Sequence, residues 1–176
     1  MRIFVARHGQ TQWNAENKIC GRTDLPLTEE GQTQAQLLAD RTRELDIDVI
    51  ISSPMLRARQ TAAPTAALHG LEVLVDQRLI EQDFGIYEGA DRQEPAFLAN
   101  KRHFAIRYPG GESMMDVAYR VYGLLEEIKE KYPGKNVLLV CHGGICRVVR
   151  TYFEDMTNEE YFHYSEENAA VREYKL

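Results

Sequence analysis

The chain has 176 residues, 44% of them hydrophobic and 27% charged, with a formal net charge of −6 and three cysteines. That length builds one substantial core and is too short for two ordinary domains. The acidic balance excludes broad binding to nucleic acid or to an anionic membrane surface, and no window approaches the roughly 20 apolar residues of a membrane-spanning helix.

No apolar leader precedes the first strand-like run, so the protein is expected in the cytoplasm. Cys20, Cys141 and Cys146 are an odd set without metal-ligand spacing and are expected as free thiols. Along the chain, Ile3–Ala6 reads as a strand buried on both faces, and Arg7-His8-Gly9 follows it. A guanidinium and an imidazole at the carboxyl end of a strand stand where open α/β sheets bind ligands. Taken alone, the tripeptide is weak evidence and is better read as a surface arginine and a satisfied histidine near a turn.

Thr28 is a predicted N-cap for a helix presenting Ala35, Leu38, Thr42 and Leu45 on one face. Val49–Ile51 reads as a second buried strand, and Pro54 is expected to open a helix that runs through Ala67 and stops at His69-Gly70. That places Arg57 near the helix start, where a cation is unfavourable to the dipole and needs another reason, such as a bound phosphate. Val73–Val75 is a third predicted buried strand. From Asp76 to Ser113 the pattern is irregular, with residues 91–107 expected as a helix capping a site, and such excursions commonly carry substrate recognition.

Ser113 and Asp116 form a capping-box pattern ahead of Val117, Val121, Leu124 and Ile128, and Tyr132-Pro133-Gly134 ends that helix. Val137–Cys141 is a fourth strand, and His142-Gly143-Gly144 at its end repeats the earlier arrangement before a helix with Val148, Val149 and Tyr152 inward. Ala169–Tyr174 reads as a closing edge strand. The alternation of strands and helices predicts a three-layer α/β/α sandwich with a mainly parallel central sheet, in one domain spanning 1–176 with a cap insertion at about 77–112.

Two histidines at strand ends, each followed by glycine, and an arginine at a helix start are hard to explain as packing alone. In their contexts they resemble the histidine phosphatase superfamily, phosphoglycerate mutase-like in fold. The matching segments are Arg7-His8-Gly9-Gln10-Thr11 through Asn14, Gly21-Arg22-Thr23-Asp24-Leu25-Pro26-Leu27-Thr28, Arg57 in Ser-Pro-x-x-Arg-Ala-x-Gln-Thr-Ala, Glu81 with Phe84-Gly85 and Glu88-Gly89, Pro109-Gly110-Gly111-Glu112-Ser113, and His142-Gly143-Gly144. Their common order from Met1 to about Val149 is far more specific than any one motif.

The resemblance implies that neutral His8 attacks phosphorus in line and forms a phosphohistidine, and that Glu81 protonates the leaving alcohol and then activates water. It implies that Arg7, Arg57 and His142 hold the phosphoryl oxygens, with Asn14, Gly21 and Gly143 as further phosphate contacts. Two guanidiniums balance a phosphate dianion, so neither metal nor other cofactor is expected. The expected partner is a small phosphomonoester.

Three functions compete: a phosphomonoesterase, a mutase that returns the phosphoryl group to another oxygen, and a non-catalytic phospho-ligand module. Retention of all five core residues disfavours the third. Only 60 residues separate Glu81 from His142 (142 − 81 − 1), and this short cap favours water as acceptor. Ile80 and Cys20 depart from the common pattern, while the Pro-Gly-Gly-Glu-Ser form resembles the branch with α-ribazole and broad-specificity sugar or phosphoglycerate phosphatases.

Glu88 reads best as a partner that pins the Phe84–Gly89 loop, and Trp13 as packing beneath the first loop. Met114 and Met115 read as core cover, and His69, His103 and His163 as bystanders. Lys101-Arg102-His103 with Arg107 reads first as a solvated face and second as a holder of another anionic group.

Overall fold

In the computed structural model, which describes residues 1–176, five strands form one sheet in the order β3-β2-β4-β1-β5. They are β1 (Arg2–Arg7), β2 (Val49–Ser52), β3 (Val73–Val75), β4 (Val137–Cys141) and β5 (Val171–Lys175). β1 to β4 are mutually parallel along the sheet, and β5 lies antiparallel on β1. The helices are α1 (Gln12–Ala15), α2 (Glu29–Thr42), α3 (Leu56–His69), α4 (Pro95–Lys101), α5 (Met114–Lys131), α6 (Gly143–Phe153) and α7 (Asn158–His163).

Alternate residues of a strand face opposite sides, and here both sides are covered. Ile3, Val5, Val137 and Leu139 pack beneath α5 and α6, whose Val121, Leu125, Val148 and Val149 are wholly buried. Phe4, Ala6, Ile50, Leu138 and Val140 pack against Leu38 of α2 and Ala58, Ala62 and Ala66 of α3. α2 and α3 therefore cover one face, and α5 and α6 cover the other. β1 and β4 are neighbours, with Arg7 opposite Cys141, so the chain parts at their carboxyl ends and opens a crevice there.

Local chemistry fixes the helix ends. Ser113 Oγ accepts from Asp116 N at 3.1 Å, while Asp116 accepts from Ser113 N at 2.9 Å, closing the predicted capping box. At the start of α3, Met55 offers no cap, and Asp24 Oδ1 accepts from Leu56 N at 2.7 Å instead. The helix begins two residues later than Pro54 suggests, carries Pro64 within it, and ends at Gly70 with φ 65°.

Several expectations are corrected. β3 is an edge strand, so Leu74 and Val75 are 41% and 49% exposed and not buried on both faces. Of residues 91–107 only Pro95–Lys101 is helical, because Pro95 starts the helix and its last residues run out into turns. The edge strand is Val171–Lys175, shifted by Ala169 and Ala170, whose amides bond Arg7 O and Glu167 O. Leu45 lies beyond the end of α2, and Met115 is 61% exposed. Neither α1 nor α7 was expected, being only one to two turns long.

Candidate active site

His8 follows β1, and its N–H donates to Cys141 O at 2.9 Å, which ties it to the neighbouring strand end. Asn168 Nδ2 donates to His8 O at 2.8 Å. Gly9 lets this turn lie against the start of α2: a Cβ there would sit 2.5 Å from Gly31 O. His8 Nδ1 is 2.7 Å from Gly9 O, and a carbonyl can only accept, so Nδ1 carries the proton and Nε2 keeps its lone pair. Burial, reinforced by Arg57 and Arg7, pushes the His8 pKa well below its ordinary value.

His142 caps α6, and its ring centre lies 5.1 Å from that of His8. Arg57 Nε donates to His142 Nδ1 at 3.3 Å, and His142 Nε2 is 2.6 Å from Ser53 Oγ. A guanidinium cannot accept, so here Nδ1 is bare and Nε2–H donates to Ser53. Burial first, then Arg57 and His8, depress the His142 pKa as well. Arg57 is 0% exposed and donates to Thr23 O and Gly21 O, each at 2.8 Å. These bonds explain an arginine at a helix start. Arg57 and His142 are both fully buried, without surface of their own in the cavity.

Arg7 donates to Glu166 O at 2.5 Å, yet its buried Nε has no acceptor. Burial, then repulsion from Arg92, lowers its pKa. Glu81 is 5% exposed, with one carboxylate oxygen accepting from Gln82 N at 2.8 Å and the other from Gly144 N at 3.1 Å. A Cβ on Gly144 would lie 2.5 Å from Glu81 Oε1, so only glycine leaves room for the acid.

The loop carrying Glu81 is held by Glu112. Its carboxylate accepts from both Nε and Nη2 of Arg120 at 3.1 Å, and from Arg22 and Asp83 N at 3.0 Å. Arg120 also donates to Arg78 O at 2.5 Å and Glu81 O at 3.4 Å. Glu88 pins as expected, accepting from the amides of Gly21, Arg22 and Thr23 at 2.9, 3.2 and 3.1 Å. Trp13 packs on Gly89.

A cavity of about 340 Å³ opens over this cluster, walled by Arg7, His8, Asn14, Glu81 and Gly143. Phe84, Phe97 and Tyr108 supply apolar wall, and Arg92, Lys101 and Arg147 add charge. Asn14 Oδ1 accepts from Thr11 N at 3.0 Å, which leaves its amide N–H groups for a ligand. The Gly143 N–H, first of α6, has no intrahelical acceptor. Gly21 is placed differently from expectation: Glu88 takes its N–H and Arg57 its carbonyl, so its backbone positions the guanidinium and does not line the cavity. No three His, Cys, Asp or Glu side chains are grouped to hold a metal ion.

The family model described as "Histidine phosphatase superfamily (branch 1)" matches residues 3–176. The chain belongs to the histidine phosphatase superfamily. A Cronobacter sakazakii relative named "Probable phosphoglycerate mutase GpmB" is 40% identical over 151 residues, covering 81% of this chain and 70% of the relative. One of the same name from Salmonella choleraesuis is 38% identical over the same shares.

Among solved structures, mycobacterial glucosyl-3-phosphoglycerate phosphatase complexed with VO3 matches with a TM-score of 0.89 at 29% identity, covering 98% of this chain and 90% of that one. The α-ribazole phosphatase from Shigella flexneri matches with a TM-score of 0.84 at 27% identity, covering 98% and 89%. The phosphoglycerate mutase-like fold is thereby shown.

Within this histidine phosphatase domain, Arg7, His8, Arg57, Glu81 and His142 come together from four separate segments. Sequence reading missed Ser53, Gly144, Asn168, Arg92 and Arg147. Ser53 and Gly144 stand inside quoted motifs, so their neighbours marked them. Arg92, Arg147 and Asn168 lie where no periodicity or motif points inward. Arg102 and Arg107 turn instead to Glu159 and Asp116 at 2.9 and 2.8 Å.

Proposed function

We propose that this histidine phosphatase domain hydrolyses a small phosphomonoester through a phosphohistidine on His8. The observation that carries the reading is the Nδ1–H bond to Gly9 O, which leaves Nε2 unprotonated. The Nε2 lone pair attacks phosphorus in line, the ester P–O bond breaks, and a proton from Glu81 goes to the departing alcohol oxygen. Glu81, now a carboxylate, takes a proton from water as the water oxygen attacks phosphorus. The P–N bond then breaks and inorganic phosphate leaves.

Arg7, the Asn14 amide and Gly143 N–H face the phosphoryl oxygens from the cavity wall. A phosphoryl oxygen entering between Arg57 and His142 would replace their long 3.3 Å hydrogen bond, turning Arg57 Nε–H and a His142 Nδ1–H toward it. Ser53 can donate as well as accept, so it accommodates that change of tautomer. Each such preorganised donor contributes about 2.7–4 kcal/mol to the transition state.

The test is a panel of phosphomonoesters assayed with wild type and His8→Ala, in chelator and without added metal. Phosphate release by wild type alone is expected. Hydrolysis surviving in His8→Ala would overturn the phosphohistidine route. A mutase reading is favoured by the names of the sequence relatives. Against it stand the short cap and a seven-residue α4, which leave the phosphoenzyme open to water. Interconversion of 3- and 2-phosphoglycerate outrunning phosphate release, with a bisphosphoglycerate primer, would decide for the mutase.

A further inference from the structure

We infer that Asn168 is a positioning residue for phosphoryl transfer: its side-chain amide, anchored on the His8 carbonyl, fixes which way the Asn14 amide points. The inference rests on the phosphohydrolase reading, and Asn168 itself has no surface in the cavity.

The residue stands where a backbone ladder runs out. β5 pairs with β1 as far as Ala6 opposite Val171. Beyond that pair, Arg7 N–H donates to Ala170 O at 3.2 Å and Ala169 N–H to Arg7 O at 3.0 Å. At His8 the nearest backbone donor, Ala169 N, is 3.4 Å from the carbonyl, and Asn168 Nδ2 supplies the close bond at 2.8 Å. Ala169 is buried and held at φ 56°, a left-handed conformation that costs an alanine free energy and persists only where its surroundings dictate it. Strain of this kind collects where geometry serves function.

Donor and acceptor chemistry then orients two amides in turn. His8 O can only accept, so the NH2 end of Asn168 faces it. The same Nδ2 lies 3.5 Å from Asn14 Oδ1, and Thr11 N donates to that oxygen at 3.0 Å. With donors on both sides, the oxygen end of Asn14 is held there, and its NH2 end is left for the cavity that Asn14 lines. Turned the other way, Asn14 would set its oxygen against a phosphoryl oxygen, acceptor against acceptor. A carboxylate in place of Asn168 would hold neither His8 O nor Asn14 Oδ1, having no proton to give.

The test is a double-mutant cycle of Asn14→Ala, Asn168→Leu and the two combined, assayed on p-nitrophenyl phosphate. Leucine is close to asparagine in size and has no donor. Each single variant is expected to lower kcat/KM by about tenfold, as loss of one hydrogen bond to a charged group implies. Because Asn168 acts through Asn14, the double variant should lose little more than the worse single one. An undiminished rate in Asn168→Leu would overturn the inference. So would single losses that multiply in the double variant, because damage to the fold adds independently to the loss of Asn14. Asn168→Asp, which keeps the shape of asparagine, takes its place in the cycle should Asn168→Leu not fold.

Inorganic phosphate gives a readout without turnover. The NMR signals of the Asn14 side-chain NH2, identified by their loss in Asn14→Ala, should shift on adding phosphate to wild type and stay in place in Asn168→Asp. No shift in wild type, or an equal shift in Asn168→Asp, would overturn the inference. If wild type hydrolyses no phosphomonoester, the phosphohydrolase reading fails, and the phosphate-induced shift still decides the role of Asn168.

Discussion

At His8 a single carbonyl sets the chemistry. Gly9 O fixes the proton on Nδ1, and burial with two nearby guanidiniums keeps the ring neutral. The depressed pKa means that the nucleophilic form persists below the ordinary histidine value of 6.5. An NMR titration of the imidazole signals should therefore place the midpoints of His8 and His142 below 6.5, and a midpoint at or above that value would contradict the burial described.

For Glu81, the expected variant effect depends on the alcohol. Glu81→Gln should lower kcat for alkyl phosphates by about 100-fold or more. It should change p-nitrophenyl phosphate much less, because that leaving group departs without a proton. Equal losses on both substrates would remove Glu81 from the role of acid.

Helices and loops place these groups, and they differ in how well the sequence reveals them. β4 and α5 match their expected limits because their apolar periods and caps are local properties. The cap segment was misjudged because 91–107 carries no period, and its course is set by contacts with distant residues, such as Arg92 with Lys18. The five central residues were legible because each sits in a motif whose neighbours are glycines and turn residues with strict spatial demands. Arg147 was not, because on a helix an inward cation and a solvated one look the same in sequence.

Two variants test the element-level account. Gly144→Ala should favour α6 by about 1 kcal/mol in helix propensity, yet cut kcat, because the new Cβ collides with Glu81 Oε1. A thermal melt beside the rate measurement separates these effects, and an active Gly144→Ala enzyme would contradict the packing.

Arg120 on α5 is a positioning residue, binding Glu112 and the carbonyls of Arg78 and Glu81. Arg120→Ala should slow alkyl phosphates more than p-nitrophenyl phosphate, mimicking a weakened Glu81. A uniform loss across leaving groups would indicate only a damaged fold.

For the molecule as a whole, two buried neutral histidines link the site to acid stability. Their folded pKa values lie below 6.5, so beneath that pH the unfolded chain binds protons that the folded chain refuses. Stability is then fully present above 6.5 and falls as pH drops through the window beneath it. The urea midpoint should decline as the pH falls below 6.5, less steeply in His8→Asn, and an identical slope in the variant would contradict the linkage.

The sheet order explains why the two histidines meet at all. Residues 8 and 142 are distant in sequence, and the parallel pairing of β1 with β4 brings their strand ends together, with Arg7 opposite Cys141. From that juxtaposition the central claim follows: His8 carries the phosphoryl group. The most direct measurement is rapid acid or base quenching during turnover of a labelled phosphomonoester, followed by peptide mapping. The account predicts a base-stable, acid-labile phosphoryl group on the peptide containing His8, absent from His8→Asn. Turnover with no phosphoryl group on that peptide, and with inversion of configuration at phosphorus, would contradict it.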